Sequence, residues 1–351
     1  MFDILTLSNT GQWDDKLSVL PWNVQDIYFS SEYYSLYEEY GDGEANCAVF
    51  EKDGNIALYP FLKNSITPLG YRLDREYYDI QGAYGYNGLV ASTNDQDFIM
   101  SFWREFDDYC EDNDIIAEFM RFHPILNNQR IASPQMKTFF SRHTVCLDLS
   151  LTLDEIWTKQ FSSKNRNMIR KAEKEGVTIV ESDDYETFRK LYDGTMSDLN
   201  AESYYYFPKR YYDEYKANFK DNSLLCLAMF DGKVIAGSMF MFSHEYAHYH
   251  LSARDRAFSK YAANNLILWY GIQRAHERGC RWFHFGGGTT GEDNDSLLQF
   301  KENFSKELGE FWIGKRIHKK EIYQEVVAQW REKYPESFEY NRVKLLGYRE
   351  I

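Results

Sequence analysis

The chain has 351 residues, of which 44% are hydrophobic and 27% charged, and its formal net charge is −14. This composition is that of a soluble globular protein with room for two cores, and it disfavours DNA as a partner. The charge is uneven, since residues 1–150 hold 10 Lys and Arg against 24 Asp and Glu, whereas residues 151–351 hold 30 of each. An acidic first part suits an amine-bearing ligand, and plain solubility is the alternative explanation.

The composition also predicts a cytoplasmic location. The first residues are acidic where a secretion signal needs a basic start, and no apolar run reaches the roughly 20 residues of a membrane-spanning helix. The five cysteines are widely spaced, odd in number and show no C-x-x-C pair. We therefore expect neither a disulfide framework nor a metal site.

The first part of the chain predicts a sheet with helices. Asn46–Leu62 has the pattern of two strands joined by a tight turn at Asp53-Gly54. Apolar residues recur every three to four positions over Phe98–Asn113, which indicates an amphipathic helix, and a strand follows. We place the domain boundary near residue 150, giving domains 1–150 and 151–351.

The second part continues the same pattern of strands and helices. A helix is predicted from a cap at Ser162 or Ser163 to Gly176, and a further strand and helix precede three antiparallel strands. A long helix over Ala262–Gly279, a strand, a helix from Ser296 and a last helix over Glu321–Lys333 complete the chain. The last helix either stays with the second domain or packs back on the first. The fold class is α/β (α+β), with mixed, largely antiparallel sheets flanked by helices rather than a doubly wound nucleotide fold.

Three consecutive glycines follow the strand that ends at Phe285. Gly286, Gly288 and Gly291 satisfy the G-x-G-x-x-G spacing of dinucleotide-binding loops, but the acidic segment EDND comes next. Negative side chains there would repel a pyrophosphate. We therefore expect these glycines to shape the end of a strand at a cleft.

Three other segments contain candidate functional residues. His248, His250 and Ser252 share one face of a predicted strand. Either this face lines a cleft in which a histidine accepts a proton, or the two histidines are structural. Arg166 and Arg170 share a helix face that either holds a phosphate or is solvated. Lys301 lies one step off an apolar helix stripe, so it reaches either into a cleft or out to solvent.

Several segments together resemble the Fem-like family of the GNAT acyltransferase superfamily, whose members include the aminoacyltransferases that build peptidoglycan bridges. These segments, which together extend over most of the chain, are YYDIQGAYGYNG, NRNMIRKAEKEG, YYYFPKRYYDEY, AHYHLSA, AANNLILWYGI and GGG…SLLQFKENF. The resemblance implies two tandem GNAT-like domains around a cleft and transfer of an acyl group from a carrier to an amine. It also implies that the pair Phe300-Lys301 faces the active site.

The resemblance and the residue chemistry together suggest roles. Lys301 is expected to stabilise the oxyanion or donate a proton, and Asp79 and His250 are candidate bases. The other candidates for substrate contact are Phe300, Tyr84, Tyr86, Tyr205, Arg166 and Arg170. The candidates for donor contact are Arg254, Arg256, Lys260, Ala262 and Asn264.

Acyl-CoA is the expected co-substrate, with no tightly bound cofactor, and the acceptor is expected to be an amine of a cell-wall or polysaccharide precursor. However, RDRAFSKYAANN stands where CoA-dependent GNAT enzymes have a glycine-containing pyrophosphate loop. An aminoacyl-tRNA donor is the first alternative, which the acidic first domain disfavours. A catalytically inactive module that binds a sugar or peptide is the second.

Overall fold

The computed structural model describes residues 1–292 and 294–351, which form two compact units. Unit 1 contains residues 1–141 and 310–351, and unit 2 contains residues 142–309. The first unit thus ends nine residues before the predicted boundary and includes the C-terminal segment. The reason is strand pairing, because residues 313–317 form an antiparallel ladder with residues 117–121 of unit 1.

Unit 1 begins with an antiparallel hairpin sheet and helices packed on it. Its first elements are β1 (Phe2–Thr6), α1 (Thr10–Ser18), α2 (Ser31–Tyr40), β2 (Glu44–Lys52), β3 (Asn55–Ser65), β4 (Tyr78–Gln81), β5 (Val90–Ala91), α3 (Gln96–Asp112) and β6 (Ile115–Arg121). The next strand, β7 (Lys137–Asp148), begins in unit 1, and its residues 142–148 belong to unit 2. The predicted β2–β3 hairpin is confirmed, and Asp53 and Gly54 both have the positive φ that its tight turn requires. The predicted helix corresponds to α3, whose aromatic stripe enters the core.

Unit 2 contains the next elements in the chain. These are α4 (Leu153–Glu155), α5 (Ser163–Lys174), β8 (Thr178–Ser182), α6 (Tyr185–Asp198), α7 (Lys209–Asn218), β9 (Ser223–Phe230), β10 (Lys233–Phe242), β11 (Tyr246–Arg254), α8 (Ala263–Glu277), β12 (Trp282–Gly287) and α9 (Ser296–Glu302). The chain then passes through β13 (Glu307–Ile317) into α10 (Lys320–Lys333) and α11 (Pro335–Asn341) of unit 1. The predicted cap of α5 is Ser162, whose hydroxyl accepts from the Asn165 N–H.

The sheet of each unit is mixed, as expected. In unit 1, β1 to β4 pair antiparallel in chain order, and β4 pairs parallel with β6. In unit 2, β8, β9, β10 and β11 pair antiparallel, β11 pairs parallel with β12, and β12 pairs antiparallel with β7. Two glycines let helices pack close to the sheet of unit 2. A Cβ atom added at Gly237 would lie 2.9 Å from the Phe188 side chain, and one added at Gly271 would lie 2.5 Å from the Phe240 side chain.

Among the described residues, no helix is long and apolar enough to cross a lipid bilayer.

Candidate functional site

The carboxyl ends of β11 and β12 separate within unit 2. The two parallel strands pair at three positions, the last of which joins His248 and His284. Beyond it, β12 continues beside β7 after a bulge at Phe285, while β11 continues beside β10. Parallel strands that diverge at their carboxyl ends leave a crevice, which is where open α/β sheets bind ligands.

Lys301 spans this divergence. Its Nζ donates to the carbonyl oxygen of Gly287 on β12 at 2.7 Å and lies 5.9 Å from the ring centroid of Tyr249 on β11. Its residue is only 7% exposed. Burial lowers the pKa of Lys301 from 10.5 to about 7, against the opposing effect of Asp295. Both protonation states are therefore populated near neutral pH.

The start of α9 fixes the position of Lys301. Asp295 caps this helix by accepting from the N–H groups of Leu297 and Leu298, and it also accepts from Thr290. Burial works to raise the pKa of Asp295, but the backbone donors outweigh it and lower the pKa to about 2. The carboxylate is thus ionised at any working pH and anchors the turn that leads into α9.

The first two of the three glycines, Gly286 and Gly287, form the end of β12, and Gly288 follows it. Gly286 has φ of +78°, next to the bulge against β7. At Gly288, a Cβ would lie 2.4 Å from the carboxylate oxygen of Asp295. The segment therefore needs glycine for close packing, and it presents the Gly287 carbonyl to Lys301.

His250 lies at a bulge of β11 rather than in regular alternation. Leu251 pairs with Met239 and Tyr249 with Phe240, which leaves His250 as the extra residue. Its Nε2 is 2.9 Å from the hydroxyl of Tyr211, and its ring stacks on Tyr215. Burial, with a smaller effect of His248, lowers the pKa of His250 to about 3. The ring is therefore neutral near pH 7 and a weak proton acceptor.

Asp79 belongs to unit 1 and is fully buried in a structural ion pair. Its carboxylate accepts from Nε of Arg349 at 2.7 Å and from the Tyr348 hydroxyl at 2.7 Å. Burial raises the pKa of Asp79, although Arg349 opposes the rise. Because both carboxylate oxygens have close partners, Asp79 is poorly placed to accept a proton from a substrate, and it has no part in the mechanism proposed below.

The candidate tyrosines lie in different surroundings. Tyr84 and Tyr86, both half-buried, belong to an aromatic cluster of unit 1, in which Tyr84 stacks on Tyr37 and Tyr86 meets Tyr28 edge to face. Tyr205 lies in unit 2 in a short 3₁₀ turn and is 36% exposed. The Tyr84 and Tyr86 rings are thus each partly covered by neighbouring aromatic rings.

Arg166 and Arg170 have local partners. Arg166 donates to the carbonyl oxygens of Phe161 and Trp157, and so closes the π-helical turn over Ile156–Gln160. The exposed guanidinium of Arg170 lies 5.3 Å from the Trp157 ring centroid. For these two arginines the sequence left phosphate binding and solvation both open. In the structure their side chains contact the turn before α5 and stabilise it.

The donor candidates occupy the connection from β11 to α8. Arg254, Arg256 and Lys260 are exposed, and residues 256–261 form a 3₁₀ helix instead of a glycine loop. Ala262 takes a left-handed conformation with φ of +55°, where glycine would be unstrained. In the part of the chain that the structure describes, the side-chain Oδ1 of Asn264 is buried without a hydrogen-bond partner.

A cavity of about 390 Å³ opens between α5, α8 and α9. Its lining residues are Lys164, Asn165, Met168, Asn265, Ser296, Gln299, Phe300 and Asn303. Phe300, the predicted neighbour of the active site, therefore forms part of its wall. The sequence alone did not indicate this group of amides, although NRN and AANN concentrate asparagines in two segments.

Comparison with known proteins identifies a family for part of unit 2. Residues 159–302 match the family model described as an acetyltransferase (GNAT) domain. No curated protein sequence is significantly similar to the chain.

The fold extends over both units in solved structures. A crystal structure of FemX superposes with a TM-score of 0.72 at 15% identity, covering 92% of this chain and 99% of that one. The structure of L-PGS from Bacillus licheniformis gives a TM-score of 0.54 at 14% identity over 89% and 92% of the two chains. A tandem GNAT protein from the clavulanic acid biosynthesis pathway gives 0.50 at 11% identity over 90% and 98%. At such identities the likeness establishes the fold alone.

Proposed function

We propose that this chain, which has a GNAT acetyltransferase domain within a tandem-GNAT fold, transfers an acyl group from a carrier to an amine. The main support is the position of Lys301, whose buried amine lies between the diverging ends of β11 and β12. An amine whose pKa lies near neutrality suits acyl transfer, which needs an oxyanion donor and a source of a proton for the leaving group.

In net terms, the reaction moves one proton from the acceptor nitrogen to the leaving sulfur or oxygen, and Lys301 relays it. The neutral acceptor amine attacks the acyl carbon, and the carbonyl oxygen becomes an oxyanion that the Lys301 ammonium stabilises. When the bond to the carrier breaks, Lys301 gives its proton to the leaving sulfur or oxygen. The neutral Lys301 amine then takes a proton from the newly formed, positively charged nitrogen, and the ammonium is restored.

The shape of the site favours a donor that enters beside α9. Phe300 lines the cavity between α5, α8 and α9, and Lys301 is the next residue on α9. The first turn of α8, which contains Asn264, begins beside the same cavity. No side chain among the described residues caps this turn. We retain Arg254, Arg256 and Lys260 as surface charges for phosphate groups of the carrier.

Acyl-CoA is the carrier that we propose, and a cell-wall or polysaccharide precursor amine is the acceptor. Aminoacyl-tRNA is the second candidate, which the extensive superposition on FemX supports. Tyr84 and Tyr86 are proposed to contact the acceptor. The five cysteines are buried and free of disulfides, which suits the reducing cytoplasm.

The test is donor-dependent turnover by the purified full-length protein. Labelled acyl-CoAs and charged tRNAs are each incubated with a panel of amine acceptors, and labelled product is counted. Transfer from one donor class supports the proposal and identifies the carrier. Acceptor binding without transfer from any donor would instead favour an inactive binding module.

A further inference from the structure

One exposed surface of unit 1 combines large apolar side chains with lysines. Its apolar members are between 42% and 77% exposed, namely Phe139 of β7, Ile317 of β13, Tyr340 of α11 and Val343 just after α11. Single exposed apolar residues are common on protein surfaces, whereas a contiguous group of them usually marks an interaction site. A site is therefore indicated if these four side chains lie together.

Lys315 of β13 connects the strands with the end of α11. Its Nζ donates to the carbonyl oxygen of Val343 at 3.0 Å and lies 5.6 Å from the ring centroid of Phe139. Ile317 follows Lys315 by two residues on the same strand, so both side chains point to one face of the sheet. Tyr340 precedes Val343 by three residues, a spacing that places side chains on one side of a helical turn. The four apolar residues thus lie around Lys315.

This face of the sheet is opposite to the face that α3 covers. A Cβ added at Gly314 would lie 2.2 Å from Sδ of Met136, which belongs to the core cluster under α3. Since neighbouring residues of a strand point to opposite faces, Lys315 points away from that core. Lys137 begins β7 two residues before Phe139 and points to the same face as Phe139. We call the following six residues the basic-apolar patch: Lys137, Phe139, Lys315, Ile317, Tyr340 and Val343.

The basic-apolar patch is positively charged although unit 1 is acidic. None of its six residues is acidic, and within the described part of the chain neither Lys137 nor Lys315 forms an ion pair. The nearby cations Arg342 and Lys344 differ, because each has a glutamate partner. Unit 1 as a whole holds 18 Lys and Arg against 30 Asp and Glu. An anionic partner is therefore repelled by most of unit 1 and attracted to this patch.

We propose that the basic-apolar patch binds the surface of an anionic phospholipid bilayer. At such a surface, apolar and aromatic side chains enter the headgroup region while lysines contact the lipid phosphates. The Tyr340 ring suits that depth, because one of its ends is apolar and the other polar. The patch extends across the start of β7, the end of β13 and the end of α11. A bilayer covers such a surface without a complementary shape, and this binding is independent of the proposed acyl transfer.

The experiment measures sedimentation of the purified full-length protein with lipid vesicles, without donor or acceptor. Vesicles of phosphatidylcholine alone are compared with vesicles that also contain phosphatidylglycerol, each at low and at high salt. We expect binding to the anionic vesicles to be at least about tenfold tighter, and this difference to shrink at high salt. Equal binding to both kinds of vesicle, or binding to neither, would overturn the proposal.

Two matched pairs of variants locate the bound surface. Lys137→Glu is expected to weaken binding to the anionic vesicles at least about fivefold, because a repulsive charge replaces an attractive one. Its control is Lys52→Glu, at an exposed lysine that ends β2, a strand that β3, β4 and β6 separate from β13. Phe139→Ser is expected to weaken binding to a similar extent, with Met100→Ser, at an exposed residue of α3, as its control. Equal effects within either pair would place the lipid elsewhere and overturn the proposal.

Association of two copies of the chain is a different use of the same surface. Light scattering of wild type and Phe139→Ser, without vesicles, distinguishes it from lipid binding. We expect wild type to be monomeric under the conditions of the vesicle experiment. A wild-type dimer that Phe139→Ser converts to a monomer would overturn the lipid proposal and make the basic-apolar patch an interface between copies.

Discussion

Replacing Lys301 with methionine is expected to make protein stability less dependent on pH. The fall in the pKa of Lys301 from 10.5 to about 7 on burial corresponds to about 5 kcal/mol. Because the pKa is lower in the folded chain, the unfolded chain holds a proton between pH 7 and 10.5 that the folded chain has released. Wild-type stability therefore rises with pH over this window, and the full cost of the buried charge applies below pH 7.

The measurement is urea unfolding at pH 7 and pH 9.5 for wild type, Lys301→Met and Lys306→Met. Between these pH values, wild type is expected to gain about 3 kcal/mol of unfolding free energy relative to Lys301→Met. The lost hydrogen bond to Gly287 cancels in this difference because it is present in the wild type at both pH values. Lys306 is exposed, so its variant should follow wild type. If the unfolding free energies of wild type and Lys301→Met changed equally between the two pH values, the claim that the Lys301 amine is buried with a lowered pKa would be refuted.

Three further predictions concern the same sites. The turnover rate at saturating substrates is expected to fall as pH rises through about 7, because the Lys301 ammonium is the active form; a rate that rises through this range would make Lys301 a base instead. Asp79→Asn is expected to destabilise unit 1 by about 3 kcal/mol in urea unfolding, because Arg349 loses its buried partner. The turnover of the folded molecules is expected to stay unchanged. A loss of turnover without a loss of stability would restore Asp79 as a base. Gly288→Ala is expected to slow transfer at least about tenfold, because the added methyl group would displace Asp295 and with it α9. A tenfold loss corresponds to about 1.4 kcal/mol of transition-state stabilisation. An unchanged rate would show that the position of α9 is not critical.

The sequence predicted elements with strong local patterns. The Asp53-Gly54 turn, the α5 cap at Ser162 and the apolar stripe of α3 each have a short-range cause, and the structure confirms the corresponding elements. The return of residues 310–351 to unit 1 was only one of two possibilities for the last helix. It depends on pairing between β13 and β6, which are far apart in the chain and have no local signature of their partnership.

The candidate site was less predictable for the same reason. The pattern placed Lys301 one step off an apolar stripe, but its burial depends on the Gly287 carbonyl that β12 brings beside α9. Alternation predicted a common face for His250 and Ser252, and the bulge in β11 breaks that alternation. The hydrogen bonds of Arg166 were not predicted, because its carbonyl partners belong to a π-helical turn that no sequence pattern indicated.

The most direct test of the central claim compares acyl transfer by wild type, Lys301→Met and Lys306→Met, with the donor and acceptor identified by the panel. We expect wild type and Lys306→Met to transfer at equal rates and Lys301→Met to be slower by at least about a hundredfold, the usual contribution of a positioned acid or oxyanion donor. Far-ultraviolet circular dichroism is the control that checks whether all three proteins are folded. Equal transfer by all three would contradict the assignment of Lys301 as the catalytic residue.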